Sequence, residues 1–426
     1  VVLNCILGVL ATLSFLLLLW QWVVATRFPL HRREPQLSFR PGVTLLKPLK
    51  GCDEATETCL RSWFQQQYGG PLQILFAVAS SEDPVCEVVN KLIREFRQSP
   101  ETDHRPAELV VCGPLLGANA KVSKLVQLAK RAEHDLLVLS DADVRVAPDF
   151  LANLVQPFKD ESVRLSGGRA SEEEHRENRK RCGLVNCFYS LRNPSTMAMQ
   201  WEAVAINADF WSQVLQARSL RPIDFALGAV MAVRKQQLAE IGGFESLVDC
   251  LADDYQLGNR ISRKGYLIEI SSVPVECWSQ PMGWREVWKH QLRWARTIRV
   301  SQPVPYFFSI LSNATLWPAL WMLVRPGVLS FAFGAVCFCA RLAMAVDLQR
   351  RLLQGRIKID PHGSESSRRS SSRSVSYAWM ALVKDGFQTA IWFISFMGNR
   401  VEWRGEKLRL KADGTLAIPK PRMTTN

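Results

Sequence analysis

No Gly-x-Gly-x-x-Gly turn and no Gly-x-x-x-x-Gly-Lys-Ser/Thr loop occur in this 426-residue chain, which excludes the dinucleotide fingerprint and the P-loop as its means of holding a phosphate. Its eleven cysteines never form a Cys-x-x-Cys pair. Cys337 and Cys339 lie in an apolar segment, and Cys182 and Cys187 have only His175 near them. Neither a zinc site nor a disulfide framework is indicated, so the cysteines read as buried thiols of a reducing compartment. Zinc-finger spacing, an RNP-type aromatic pattern and a continuous basic helix are missing too, so the formal charge of +13 does not point to nucleic acid. It reads instead as the basic flanks of a membrane protein, facing anionic head groups. Charge is also absent from the start of the chain. Only Asn4, Gly8, Thr12, Ser14 and Gln21 interrupt the apolar run Val1 to Val24, and the first charged residue is Arg27. That run can cross a bilayer as a helix. Arg27, Arg32 and Arg33 follow it where a cleavable leader would carry small residues, so residues 1–26 are expected to be an uncleaved anchor.

What is present divides into soluble and membrane-like stretches. With 47% apolar residues, the chain can build one large or two ordinary domains around a substantial core. Residues 41–301 alternate short apolar runs with amphipathic ones. Val43 to Leu46, Leu72 to Val78, Ala107 to Val111 and Leu136 to Leu139 read as buried strands, while Cys86 to Gln98 and Lys121 to Ala132 carry helical spacing. The pattern predicts an α/β domain with a Rossmann-like half, whose ligand site lies at the carboxyl ends of its strands. Asp83, Asp141 and Asp143 all fall just beyond such ends.

The last third returns to membrane chemistry. Tyr306 to Val324 and Val328 to Val346, separated by Arg325-Pro326-Gly327, predict a transmembrane helical hairpin over 306–346. Residues 347–376 are basic and Ser-rich and are expected to be a disordered loop. Within 377–398 the apolar stretch is split by Lys384-Asp385, and 399–426 form a basic tail. Charge asymmetry favours a re-entrant or interfacial piece that leaves this tail on the same side as Arg27 to Arg33, with a full crossing as the alternative.

Three segments carry groups suited to chemistry. Leu136 to Ser140 is apolar almost throughout and ends in Asp141-Ala-Asp143, an arrangement that delivers two carboxylates to a sheet edge where a divalent cation could bridge them to a diphosphate. An ordinary Asp-rich turn is the plainer reading. Ala252-Asp253-Asp254-Tyr255 precedes a helical pattern; Asp253 suits a helix N-cap, and Asp254 is the better candidate for a general base. In the basic, Trp-rich stretch Trp284 to Arg299, His290, Arg293 and Trp294 share one helix face, where Arg293 could neutralise a departing diphosphate and Trp294 could pack over an acceptor. Interfacial anchoring is the competing reading of that stretch.

Taken in order and followed by membrane helices, these segments resemble the D, D, D, (Q/R)xxRW series of family 2-like membrane glycosyltransferases. Pro41-Gly-Val-Thr-Leu-Leu-Lys-Pro-Leu-Lys-Gly51, Gly117-Ala-Asn-Ala-Lys-Val-Ser-Lys124, Asp141-Ala-Asp-Val-Arg-Val146, Ala252-Asp-Asp-Tyr255 and Trp403-Arg-Gly-Glu-Lys-Leu-Arg narrow the resemblance to the ceramide glucosyltransferases, family 21, and their bacterial hopanoid-pathway relatives. The resemblance runs from about Val1 to Leu416.

It implies a GT-A fold with an N-terminal transmembrane helix and C-terminal membrane helices, and an inverting transferase acting from a UDP-sugar with Mg2+ or Mn2+. The family's first aspartate, which helps hold the nucleotide, matches Asp83 in Ser80-Ser-Glu-Asp-Pro84; its second element matches Asp141, and Asp143 completes a metal-binding Asp-x-Asp that some eukaryotic members lack. Its proposed base matches Asp254. Arg293 and Trp294 fit the last motif, in which His290 stands where the family has Gln or Arg. Lys121, in the segment matching Gly-x-Asn-x-Lys, is implied as a diphosphate or ribose contact. The expected acceptor is a membrane lipid, with glucose transfer to ceramide as the first reading and N-acetylglucosamine transfer to a hopanoid as the second. The protein is expected to be integral to the membrane with its catalytic domain on the cytoplasmic face. Outside the enzyme class, a non-catalytic lipid-binding scaffold of the same fold is the alternative. Phe188 to Trp211, rich in Tyr, Met and Trp, suits either part of a lipid-entry interface or a packed core segment.

Overall fold

The computed structural model describes residues 2–98, 105–159, 181–354, 377–403 and 406–417. Two compact units form, one from residues 30–189 and 221–280 and the other from residues 1–29, 190–220 and 281–426.

The first unit is built on an eight-stranded sheet. Its strands are β1 (Val43–Pro48), β2 (Leu72–Val78), β3 (Ala107–Val111), β4 (Leu136–Ser140), β5 (Val144–Arg145), β6 (Cys182–Leu191), β7 (Val230–Arg234) and β8 (Leu267–Cys277), in the spatial order β3-β2-β1-β4-β7-β6-β8-β5. The four strands from β3 to β4 are parallel, with Leu45 of β1 level with Ile74 of β2 and Val138 of β4. Beside β4 the sheet turns antiparallel through β7 and β6. β1, β2 and β4 are buried along their whole lengths, as expected of strands covered on both faces, and for that reason they read as largely apolar runs, interrupted by Thr44, Lys47, Gln73 and Ser140. The crossovers contain helices Thr56–Phe64, Val85–Gln98 and Ala120–Ala129. Val85, Cys86, Val89 and Leu92 form the buried stripe of the second helix, the i, i+1, i+4, i+7 spacing of one helix face. The α/β GT-A class expected from the sequence is the fold observed, with a Rossmann-like parallel half and an antiparallel strand beyond β4.

The second unit is mainly helical. Helices Val2–Arg27 and Val328–Leu353, each of 26 residues, are long and apolar enough to cross a membrane. Polar side chains tie the first of them to its neighbours: Trp321 Nε1 donates to Asn4 Oδ1 at 2.8 Å, and Gln21 Nε2 donates to Ser212 Oγ at 2.7 Å.

Three expectations for this unit change. The first hairpin arm is not one straight helix, because Pro303–Ser312 and Leu316–Val324 meet at a 53° bend. Asn313 sits at the break, its Oδ1 accepting the N–H groups of Thr315 (3.1 Å) and Leu316 (2.9 Å) and so starting a new helix. The second arm continues beyond Val346 to Leu353, into the stretch read as a loop; the rest of that stretch, 355–376, lies outside the described residues. Finally, Lys384-Asp385 does not split the last apolar piece. Met380–Ser395 is one continuous helix of 16 residues, about 24 Å long against the ~30 Å of a hydrocarbon core.

The reason is an ion network. Arg341, near the middle of its apolar helix, donates to Asp385 (2.8 and 2.9 Å) and Asp209 (2.9 Å), while Lys384 reaches the same Asp209 at 2.6 Å and Thr315 Oγ1 donates to Asp385. All four charged side chains are buried. Asp209 lies in a π-helical turn, Ala205–Phe210, that follows helix Met197–Val204. Trp201 and Trp211 of this segment are buried, as in the packed-core reading of Phe188 to Trp211. Strands β9 (Arg400–Trp403), β10 (Glu406–Leu410) and β11 (Leu416–Ala417) form a small antiparallel sheet within the segment read as a tail; residues 418–426 lie outside the described residues.

Candidate active site

At the end of β4 the chain turns through Asp141-Ala-Asp143, and backbone bonds hold it on both sides. The Asp141 N–H donates to the Ala229 carbonyl at 3.1 Å, and the Asp143 carbonyl accepts the Trp278 N–H at 3.0 Å. Beneath the turn lies Lys47, fully buried in β1, which donates to Ser140 Oγ at 3.0 Å and to the Asp141 carbonyl. Burial pushes the Lys47 ammonium down to about 8, leaving it charged at neutral pH.

Helix Ala120–Ala129 brings the next group. Asn119 caps it, Oδ1 accepting the N–H groups of Lys121 (3.0 Å) and Val122 (3.1 Å), while Nδ2 donates to the Cys250 carbonyl at 2.8 Å. A cap of this kind is worth about 1 kcal/mol. It also orients Lys121, whose Nζ lies 2.8 Å from Asp141 Oδ1 and 3.1 Å from Asp253 Oδ2. Burial works against charge on this ammonium, but Asp141 and then Asp253 hold it above its ordinary value.

Helix Asp253–Arg263 supplies the far side. Asp253 is its first residue and not its cap, a position taken by Ala252, and the Asp253 side chain instead turns to Lys121 and Asn119. The cap expected at Asp253 is therefore corrected: the nearby cation outcompetes the helix N–H groups for its oxygens. Asp254 is held by the Tyr255 N–H at 2.7 Å from Oδ1. Burial, then the neighbouring Asp253, raise its carboxyl to about 6. Asp143 is raised to about 6 as well, by burial and then by Asp141, and no side chain among the described residues is hydrogen-bonded to its carboxylate. Asp83 lies in the loop between β2 and helix Val85–Gln98. It accepts the Gly51 N–H (3.0 and 3.1 Å) and the Val85 N–H (3.1 Å), joining the loops that follow β1 and β2; Gly51 has φ +72°, a conformation suited to glycine.

Among the described residues no group of three or more His, Cys, Asp or Glu side chains is disposed to hold a metal. Asp141 and Asp143 still fit a hard divalent cation that fills its other positions with water and phosphate oxygens. Burial, and then the Asp141 carboxylate, disfavour charge on Asp143, and a cation bound there would favour its ionised form.

The remaining predicted residues lie in the second unit, on helix Trp284–Ser301. His290 and Trp294 touch, ring centroids 4.3 Å apart, and Trp294 stacks on Phe210 at 6.2 Å. The Arg293 carbonyl accepts the Thr297 hydroxyl at 2.8 Å. His290 Nδ1 lies 2.7 Å from Glu202 Oε1. Sequence reasoning misses Glu202, Lys47 and Asn119. The first two carry a weak signal, each being a single charge inside an otherwise apolar run.

The family described as Glycosyl transferase family 21 matches residues 4–167 and 175–416. The chain is 22% identical over 323 residues to Ceramide glucosyltransferase 3 of Caenorhabditis elegans, covering 76% of this chain and 60% of the relative. With the ceramide glucosyltransferase of Candida albicans it shares 30% identity over 133 residues, 29% of this chain and 24% of the relative. The chain thus spans less than two thirds of the length of the relatives it matches. Among solved structures it is similar to a mannosyltransferase from Pyrobaculum calidifontis in complex with GDP-Man and Mn2+, at a TM-score of 0.45 and 18% identity over 91% of this chain and 99% of that one. It is also similar to glucosyl-3-phosphoglycerate synthase from Mycobacterium tuberculosis in complex with Mn2+ and UDP-glucose, at a TM-score of 0.34 and 15% identity over 64% and 84%.

Proposed function

Because the chain belongs to glycosyl transferase family 21, we propose that it transfers a hexose from a UDP-sugar to a hydroxyl of a membrane lipid, with glucose and ceramide as donor sugar and acceptor. The observation that carries this reading is the Lys121 bridge, whose ammonium holds the Asp141-Ala-Asp143 turn to the Asp253-Asp254 helix start. Two carboxylate segments far apart in sequence thereby meet at the carboxyl ends of parallel strands, where open α/β sheets bind their ligands.

In this reading the reaction is a single displacement. Asp254 takes the proton of the lipid hydroxyl as its oxygen attacks the anomeric carbon, on the face opposite the bond to UDP that breaks. From an α-linked donor the product is a β-glycoside, and one base suffices. Burial and Asp253 place Asp254 at about 6, where it is ionised at neutral pH yet basic enough to accept a proton. Mg2+ or Mn2+, held by Asp143 with Asp141, would offset the charge on the leaving diphosphate. Lys121 and Asp83 are assigned to the nucleotide, Arg293 to the departing diphosphate and Trp294 to the acceptor, and His290 takes the motif position of Gln or Arg beside them. These assignments rest on the family motif.

A lipid acceptor accords with the second unit, two of whose helices are long and apolar enough to cross a bilayer. Arg27, Arg32 and Arg33 beside the first of them favour a cytoplasmic face for the catalytic unit under the positive-inside rule. The test is purified full-length protein with Mg2+, UDP-glucose or UDP-N-acetylglucosamine, and ceramide or a hopanoid, with products read by mass spectrometry. Glucosylceramide is the expected product. An N-acetylglucosaminyl hopanoid would replace the named substrates, and no product from any pair would favour the lipid-binding scaffold.

A further inference from the structure

Glu202 lies on helix Met197–Val204 and is 1% exposed. Its Oε1 is 2.7 Å from His290 Nδ1 and accepts the Gln291 Nε2 amide at 2.9 Å; its Oε2 is buried and has no hydrogen-bond partner among the described residues. Both neighbours come from helix Trp284–Ser301.

A carboxylate can only accept hydrogen bonds, so the nitrogen facing it must carry the proton. His290 is therefore protonated at Nδ1, whether the ring is neutral or charged, and Nε2 is left as the nitrogen that can meet a substrate. The ring is partly exposed, at 27%, whereas its partner is enclosed. Contact with Trp294 at 4.3 Å limits ring rotation from the other side. Of the other charges on or near this helix, Lys289 pairs with Glu402, Glu286 accepts the Gly283 N–H, Arg296 donates to the Arg400 carbonyl, Arg299 donates to Asn399, and Lys384 and Asp385 belong to the Arg341 network.

We propose that Glu202 is a positioning residue, one that fixes the tautomer and orientation of His290 and leaves Nε2 as the ring nitrogen open to a substrate. This rests on the reading that His290 takes part in transfer. An Arg or Gln side chain there would always offer donors, whereas imidazole bonded to Glu202 through Nδ1 presents a lone pair at Nε2 when neutral and a donor there only as the imidazolium.

The experiment uses full-length protein labelled with 15N-histidine in detergent micelles. The chain has six histidines, and a His290→Gln variant assigns the signal. The expected spectrum shows His290 protonated at Nδ1. Glu202→Met, which removes the acceptor, should give a mixture of tautomers and lower turnover about ten- to hundredfold, the range for losing a histidine's orienting partner. Glu202→Gln keeps an accepting oxygen and should retain both the tautomer and most of the turnover. In the His290→Gln background, Glu202→Met should cost little more. A native His290 protonated at Nε2, or an undiminished Glu202→Met loss in that background, overturns the proposal. If the tautomer behaves as expected but His290→Gln turns over normally, the pairing stands and the catalytic reading of His290 fails.

Discussion

A Cβ atom placed on Gly228 would lie 2.7 Å from Asp254 Oδ2. The side chain of Asp254 occupies the space that any other residue at 228 would need, and β7 begins two residues later. Gly228→Ala should therefore push the carboxylate out of line and lower kcat about a hundredfold, the cost of misplacing a reacting group by roughly 1 Å. Steady-state kinetics beside a thermal melt checks this. A parallel collapse in Tm would assign the glycine to stability instead.

Asp254→Asn should reduce turnover to background while UDP-sugar still binds, as measured by donor calorimetry. In the native protein the base must be ionised to work. With Asp254 raised to about 6, turnover should be level above pH 7 and fall about tenfold per pH unit below 6. Turnover that persists unchanged at pH 5 would refute the assignment.

Asp143 should govern metal affinity. Asp143→Ala leaves Asp141, already paired with Lys121, as the sole carboxylate of the turn. The Mg2+ or Mn2+ concentration giving half-maximal turnover should rise tenfold or more in a metal titration. Equal curves for variant and native protein would remove Asp143 from the metal.

Arg341→Met should be the most damaging change in the second unit. It leaves Asp209 and Asp385 buried against Lys384 alone, and breaking a buried ion cluster costs about 3–5 kcal/mol. Thermal unfolding in detergent should show a clear fall in Tm. Replacing Asp209, Arg341, Lys384 and Asp385 together with apolar residues of similar volume should recover much of it, because no uncompensated charge then remains.

Where burial follows a simple pattern, the sequence reads well. β1, β2 and β4 lie where their apolar runs lie, because both faces are covered and every position reports burial. The carboxylates were also legible, since a polar end on an apolar strand stands out. Lys121 was legible as a site residue, but its bridge to Asp141 and Asp253 was not, because which anion a lysine meets depends on the helix that Asn119 caps. Lys384-Asp385 reads as a break for the same reason: the partners that let both stay buried, Asp209 and Arg341, are remote in the chain. Glu202 gave almost no sign, being one acid in an apolar helix whose partners, His290 and Gln291, are remote in the chain.

The position of Arg341 also imposes an order of assembly. Its helix follows Asp209 but precedes Lys384 and Asp385 in the chain, so a guanidinium that is costly in lipid is synthesised with only one of its two anions already made. The second anion comes only with Met380–Ser395.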